Sequence, residues 1–315
     1  MGTPEFAVAT LQALVDNDYN VVAVVTQPDK PVGRHGSVLQ ASPVKQFALT
    51  HGLPVLQPEK MKDPVFLEQL RSYHANLQVV VAFRMLPEVV WDMPAYGTFN
   101  VHAALLPQYR GAAPINWAVI NGETRTGVTT FFLDKDIDTG RVIKQLPFDI
   151  ADSYNVEDVY NGLMALGADI CLQTLELIVE ADGHPAAIDQ NAMLSDVGEL
   201  HAAPKIFKDT CRIEWNKPSK HIYDFVRGLS PVPGAWTTLV APDGKSSVLK
   251  IFATSKTNET TQAAPGSLSV VHRQLFVATV DGLLRIDELQ AAGKKRMPAA
   301  DFLNGVKDIE SYILA

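Results

Sequence analysis

Three runs most constrain the fold of this chain: NVVAVVTQ (20–27), LQVVVAF (77–83) and TFNVHAA (98–104). They are rich in β-branched residues and apolar at almost every position, without the alternation of a strand that keeps one face in water. Strands of that kind are covered on both faces. The cover is legible between them, because FAVATLQALVD (6–16), SPVKQFALTHG (42–52) and DPVFLEQLRSYH (63–74) carry apolar residues at helical spacing. Ser42 and Asp63 are candidate N-caps, each followed by proline at the first helical position. PVLQP (54–58) is a further short strand, and APINWAVINGE (113–123) a further helix. Strands GVTTFFL and RVIKQLPFDI follow, then a long helix from Asn155 to about Asp182, with Asn155 and Asp158 forming a capping-box variant. The pattern predicts an α/β domain built on a doubly wound, mostly parallel sheet.

Periodicity is lost from 184 to 203, which reads as a linker. Beyond it HIYDFVRGL is helical, and five short strands separated by turn residues predict a small, OB-like antiparallel β-barrel. The expected organisation is a domain over 1–183, a linker over 184–203 and a second domain over 204–315. Charge divides at the same place. Residues 1–203 hold 12 Lys/Arg against 24 Asp/Glu, and residues 204–315 hold 15 against 11. That asymmetry fits an acidic domain joined to one that approaches a polyanion, and equally two ordinary solvated surfaces.

No run of eighteen apolar residues predicts a membrane span, and MGTPEFAVAT lacks the pattern of a signal peptide. Cys171 and Cys211 stand apart, without CxxC spacing, so the reducing cytoplasm is the expected compartment. MGTPEF reads as the turn after a strand, since Gly-Thr-Pro runs straight into a helix. The first strand of a doubly wound sheet is usually central, so a further strand is expected ahead of Met1.

Asn100 and His102 carry the chemistry. In a strand they share one face, roughly 7 Å apart, while Phe99, Val101 and Ala103 take the other. They sit at the carboxyl end of the strand, where open α/β sheets bind ligands. An Asn-x-His pair alone is commonly a satisfied strand end. Asp134, Asp136 and Asp138 follow the next apolar strand, and Asp138 in DTG is placed to turn toward His102. Asn, His and Asp on neighbouring strand ends make a proton-transfer and oxyanion set. Without a neighbouring Ser or Cys nucleophile, or HxxxH or CxxC spacing, the chemistry expected is direct attack of an amine or water on a carbonyl.

NVHAALLPQYRGAAPI with DIDTG downstream resembles the 10-formyltetrahydrofolate-dependent formyltransferases. The similarity runs nearly end to end, through MGTPEFA, TQPDKPVGR, SPVKQFA, LPVLQPEK, VVVAF, KIFKDTCRIEWN, VRGLSPVPGAW and LQAAGKKRM. It is closest to members acting on the methionine of initiator tRNA. The resemblance implies a formyltransferase-like Rossmann variant, catalysis by Asn100, His102 and Asp138, and folate held around Leu105, Leu106, Pro107 and Gly111. It implies 10-formyltetrahydrofolate as donor, initiator Met-tRNA as acceptor, no metal, no membrane and a monomer. Residues 29–45 are by composition an ordinary basic surface loop. The resemblance implies that this loop, with Lys30, Arg34 and Lys45, meets the tRNA acceptor stem. Lys205, Lys208, Arg212, Lys217, Lys220, Lys294, Lys295 and Arg296 are further candidates for phosphate contacts.

Two positions in the site region depart from the family wording. Ala104 stands where a serine is usual, and VVAFRMLPE is one residue shorter than usual, with Arg84 in place of glycine. A folate hydrolase, or a transferase for another small amine, would use the same triad. A non-catalytic tRNA- or folate-binding protein is the reading from a different class.

Overall fold

The computed structural model describes residues 1–32, 38–196 and 198–315. The chain divides into two compact units. One comprises Met1–Gly111, Arg125–Asp149 and Tyr160–Ala202, the other Ala112–Thr124, Ile150–Val159 and Ala203–Ala315.

In the first unit, Gln78–Val81 pairs in parallel with Thr98–His102, which pairs antiparallel with Arg125–Phe132, and that strand with Val142–Asp149. A second parallel pair joins Val24–Val25 to Val55–Leu56. The run expected as a strand over 20–27 thus enters a ladder only at Val24 and Val25. On its side toward Gln78–Val81, the Gly2 N–H donates to the Val25 carbonyl at 3.0 Å, and Gly2 bridges Val81 in parallel.

Helices cover the sheet as their local signals specify. Pro43–Thr50 starts at Ser42, whose hydroxyl accepts from the Lys45 N–H, and Pro64–Ser72 starts at Asp63, whose carboxylate accepts from the Val65 N–H. The long helix Val156–Glu180 begins with the expected reciprocal cap. Asn155 Oδ1 accepts from the Glu157 and Asp158 N–H groups, and Asp158 Oδ2 accepts from the Asn155 N–H. By length and mean hydropathy this helix is apolar enough to cross a membrane. Here it buries Leu163, Ile170, Cys171 and Ile178 in the unit's core. At Gly162 a Cβ would come within 2.3 Å of the Phe148 ring, so glycine lets helix and strand approach closely.

The second unit is the expected barrel. Its strand order is Leu268–Val271, Gln274–Ala278, Leu283–Ala291, Ser246–Lys256, Ala235–Val240 and Ile313–Leu314. The ends close through a Ser267–Ile313 bridge, with the Leu314 N–H donating to the Gly266 carbonyl at 2.9 Å. A register shift near Ala253 in the longest strand gives the bend that closure needs. Helix Ser219–Leu229 sets Ile222, Val226 and Leu229 into this core, beside Trp215, Ile251 and Leu289.

Candidate active site

Thr98–His102 lies inside the four-stranded sheet, with Asn100 opposite Val80 on one side and Phe131 on the other. Phe99 and Val101 are buried, which fixes the register and turns Asn100 and His102 to the opposite face. Asn100 is half-exposed there. His102 is 6% exposed, with the edge of its ring against Phe131 at 6.4 Å between centroids.

After His102 the chain loops back on itself. Leu106 is joined to Pro107 by a cis peptide bond, and Tyr109 has a positive φ of 58°. The Tyr109 carbonyl accepts from His102 Nε2 at 2.9 Å. A carbonyl only accepts, so Nε2 carries the proton of this bond. Nδ1 lies 3.8 Å from Asp138 Oδ2. The same Oδ2 accepts from the Gly111 N–H at 2.9 Å, so loop 103–111 and the Asp138 turn are joined across the imidazole. His102, Asp138 and Gly111 therefore converge, and Asn100 lies two residues before His102 on the same strand.

The remaining candidates are distributed as follows. Leu106 is fully buried against Phe131 and Val142, Leu105 is half-buried and Pro107 buried. Gly111 spends its N–H on Asp138. Thr129 and Gln145 hold this loop. The Thr129 hydroxyl donates to the Ala104 carbonyl and accepts from the Leu106 N–H, while Gln145 Nε2 donates to the Leu106 carbonyl. Among the described residues Arg84 forms no ion pair with an acid; its guanidinium donates to the backbone carbonyls of Pro58 and Glu59. Asp134 is a turn residue, accepting from the Asp136 N–H and the Thr139 hydroxyl.

Arg34 lies outside the described residues. Lys30 is exposed, whereas Lys45 pairs with Asp29 at 2.7 Å. Lys45, with help from Gln57, holds the Asp29 carboxyl below the usual carboxylate range. In the second unit Lys294 and Lys295 are exposed on a turn, Lys205 lies over the Phe207 ring, and Arg296 pairs with Glu288 while covering Phe252. Among the described residues no group of three His, Cys, Asp or Glu side chains is placed to hold a metal ion.

Sequence reading missed the residues that brace the site. Gln190, 1% exposed, accepts from the Arg110 guanidinium and donates to the carbonyls of Asp138 and Gly140. It falls in the stretch expected as a linker. Nothing in IDQNAM marks it, because its partners lie 50 to 80 residues away.

Residues 1–175 match the formyl transferase family model, and residues 205–307 match the model of the formyl transferase C-terminal domain. The chain belongs to the formyl transferase family. It is 60% identical over 313 residues to a methionyl-tRNA formyltransferase of Parabacteroides distasonis, covering 99% of this chain and 96% of that one. It is 48% identical over 307 residues to a methionyl-tRNA formyltransferase of Porphyromonas gingivalis, covering 97% and 94%. Among solved structures the fold is similar to WlaRD, a sugar 3N-formyl transferase, with a TM-score of 0.63 and 19% identity over 93% of this chain and 97% of that one. HypX from Aquifex aeolicus, solved with tetrahydrofolic acid, gives a TM-score of 0.56 at 20% identity, over 81% of this chain and 43% of that one.

Proposed function

We propose that this chain transfers a formyl group from 10-formyltetrahydrofolate to the α-amine of methionine carried by initiator tRNA. The observation that carries the chemistry is the His102 ring held between the Tyr109 carbonyl and Asp138, with Asn100 two residues back on the same strand face. The amine nitrogen attacks the formyl carbon, and negative charge grows on the formyl oxygen. The Asn100 amide donates to that oxygen, and the imidazolium of His102 stabilises it by charge. A preorganised donor of this kind contributes about 10²- to 10³-fold in rate. Asp138 offsets the imidazolium charge and takes the proton lost by the attacking amine. The C–N10 bond then breaks, N10 is reprotonated from the His102–Asp138 pair, and tetrahydrofolate leaves. No step in this reading calls on a metal.

Leu105, Leu106, Pro107 and Gly111 form the folate side of the site in this reading. Thr129 and Gln145 hold that loop to the sheet, which supports the assignment. Lys30, Arg34 and Lys45 in the first unit and Lys205, Lys294, Lys295 and Arg296 in the second meet tRNA phosphates. Identities of 48–60% to methionyl-tRNA formyltransferases favour tRNA as the acceptor. The protein acts as a cytoplasmic monomer, in keeping with two cysteines that are buried and unbonded.

The test is to incubate the chain with 10-formyltetrahydrofolate and charged initiator tRNA, then identify the product. N-formylmethionine on the tRNA is expected. Release of formate alone, or formylation of small amines only, would reassign the site to a hydrolase or to a transferase with a different acceptor.

A further inference from the structure

His102 is flanked by two residues, neither of them glycine, whose backbone is left-handed. Tyr109, whose carbonyl accepts from Nε2, has a φ of 58°, and Asp138, whose carboxylate faces Nδ1, has a φ of 55°. A bulky residue keeps such a conformation only where its surroundings hold it, and aspartate does so more readily. For both residues, holding groups come from one stretch, 188–196 and 198–201, whose sequence carries neither helical nor strand period.

The stretch starts on the strand that follows the Asp138 turn, where Ile188 and Val142 exchange two backbone bonds of 2.8 Å. Gln190 then spends its whole amide on the site. Its Nε2 donates to the Asp138 carbonyl at 2.9 Å and to the Gly140 carbonyl at 2.8 Å, while its Oε1 accepts from Arg110 Nε at 3.0 Å and Nη2 at 2.7 Å. Met193 packs on Leu106, Phe131 and Val142, and Phe131 is the ring that meets His102 edge-on. Further along, the His201 carbonyl accepts from the Tyr109 N–H at 2.7 Å, and the two rings stack 17° from parallel. Gln108 closes the joint: its Oε1 accepts from the His201 N–H and its Nε2 donates to the Glu199 carbonyl, both at 2.8 Å.

We infer that Gln190 and His201 are positioning residues for His102: they hold the Asp138 turn and the Tyr109 carbonyl on the two sides of the imidazole, and so fix where its two nitrogens point. The inference rests on the acyl-transfer role proposed for His102. Each residue acts through a neighbour of the ring and not on the reacting atoms. Gln190 needs an amide for this, because two carbonyls take its donor and a guanidinium takes its acceptor. His201 needs its backbone carbonyl and the flat face of its ring. Its Nδ1 is buried without a hydrogen-bond partner among the described residues, so it serves Tyr109 by stacking and not through that nitrogen.

The experiment compares the full chain with Gln190→Leu, Gln190→Glu, His201→Ala and His201→Phe. Steady-state kinetics use 10-formyltetrahydrofolate and charged initiator tRNA. The proton–nitrogen spectrum of the imidazoles is recorded beside them, with His102 assigned by its loss in His102→Ala. Gln190→Leu and His201→Ala should each lower kcat by up to about 10²-fold, with KM for both substrates little changed. Both should move the His102 nitrogens away from the pattern of a proton held on Nε2. An ionised Gln190→Glu still accepts from Arg110 but offers the two carbonyls no donor, so it should lose kcat as Gln190→Leu does, and it carries the test if the leucine variant fails to fold. His201→Phe keeps the stack and the backbone carbonyl, and should recover most of the loss seen in His201→Ala. Unchanged His102 nitrogens in Gln190→Glu and His201→Ala would overturn the inference, whatever the rates. So would a loss carried mainly in KM. A parent chain that transfers no formyl group, with His102 still displaced in the variants, would support the positioning role and overturn only the function it rests on.

Discussion

His102 Nε2 donates to the carbonyl of Tyr109 at 2.9 Å, and this one bond sets which nitrogen of the ring faces Asp138. Tyr109 aims its carbonyl at the ring through a left-handed backbone conformation, which non-glycine residues adopt only when their surroundings hold it. The surroundings are visible. The Tyr109 N–H donates to the His201 carbonyl at 2.7 Å, and the two rings stack with centroids 5.8 Å apart. With Nε2 bonded to that carbonyl, Nδ1 is left facing Asp138 at 3.8 Å.

Asp138→Asn should therefore separate shape from charge. Asparagine still accepts from the Gly111 N–H, so loop 103–111 keeps its brace, but nothing offsets an imidazolium. A fall in kcat of about 100-fold or more is expected, with KM for the folate donor little changed. Steady-state kinetics check this, and a loss carried mainly in KM would make Asp138 a loop brace rather than a proton partner.

Much of the fold was legible because its signals are local. Ser42 and Asp63 cap the helices they precede, and Asn155 with Asp158 starts the long helix, each within three residues of its partner. Asn100 and His102 were legible for the same reason, since strand periodicity alone puts them on one face. The bracing set was not. Gln190 reaches Asp138 from 52 residues away and His102 depends on a backbone conformation at Tyr109, and neither leaves a spacing to read. Lys45 looked like a free cation until the fold brought Asp29 beside it.

In the second unit Asp224 is 4% exposed and Arg227 7%, with 2.8 Å between Oδ1 and Nε. Asp224→Ala would strand a buried guanidinium, at a cost of about 3–5 kcal/mol. The double variant Asp224→Leu with Arg227→Met should recover most of that loss. Thermal melts of the single and double variants decide it; equal melting temperatures for Asp224→Ala and the parent chain would mean the pair is solvated.

Lys294 and Lys295 are exposed and, unlike Arg296, form no ion pair with another described residue. Replacing both with alanine should weaken initiator tRNA binding and lower the slope of log K against log salt by up to about 1.5. Binding measured across salt concentrations checks this, and an unchanged slope would remove this turn from the tRNA surface.

The most direct measurement is formyl transfer to charged initiator tRNA by the parent chain and by His102→Ala, with tRNA binding measured beside it. The account predicts transfer by the parent chain and a loss of about 10²- to 10⁴-fold in the variant, with tRNA binding nearly intact. Transfer that survives the substitution, or a loss that follows tRNA binding, would contradict the role given to His102.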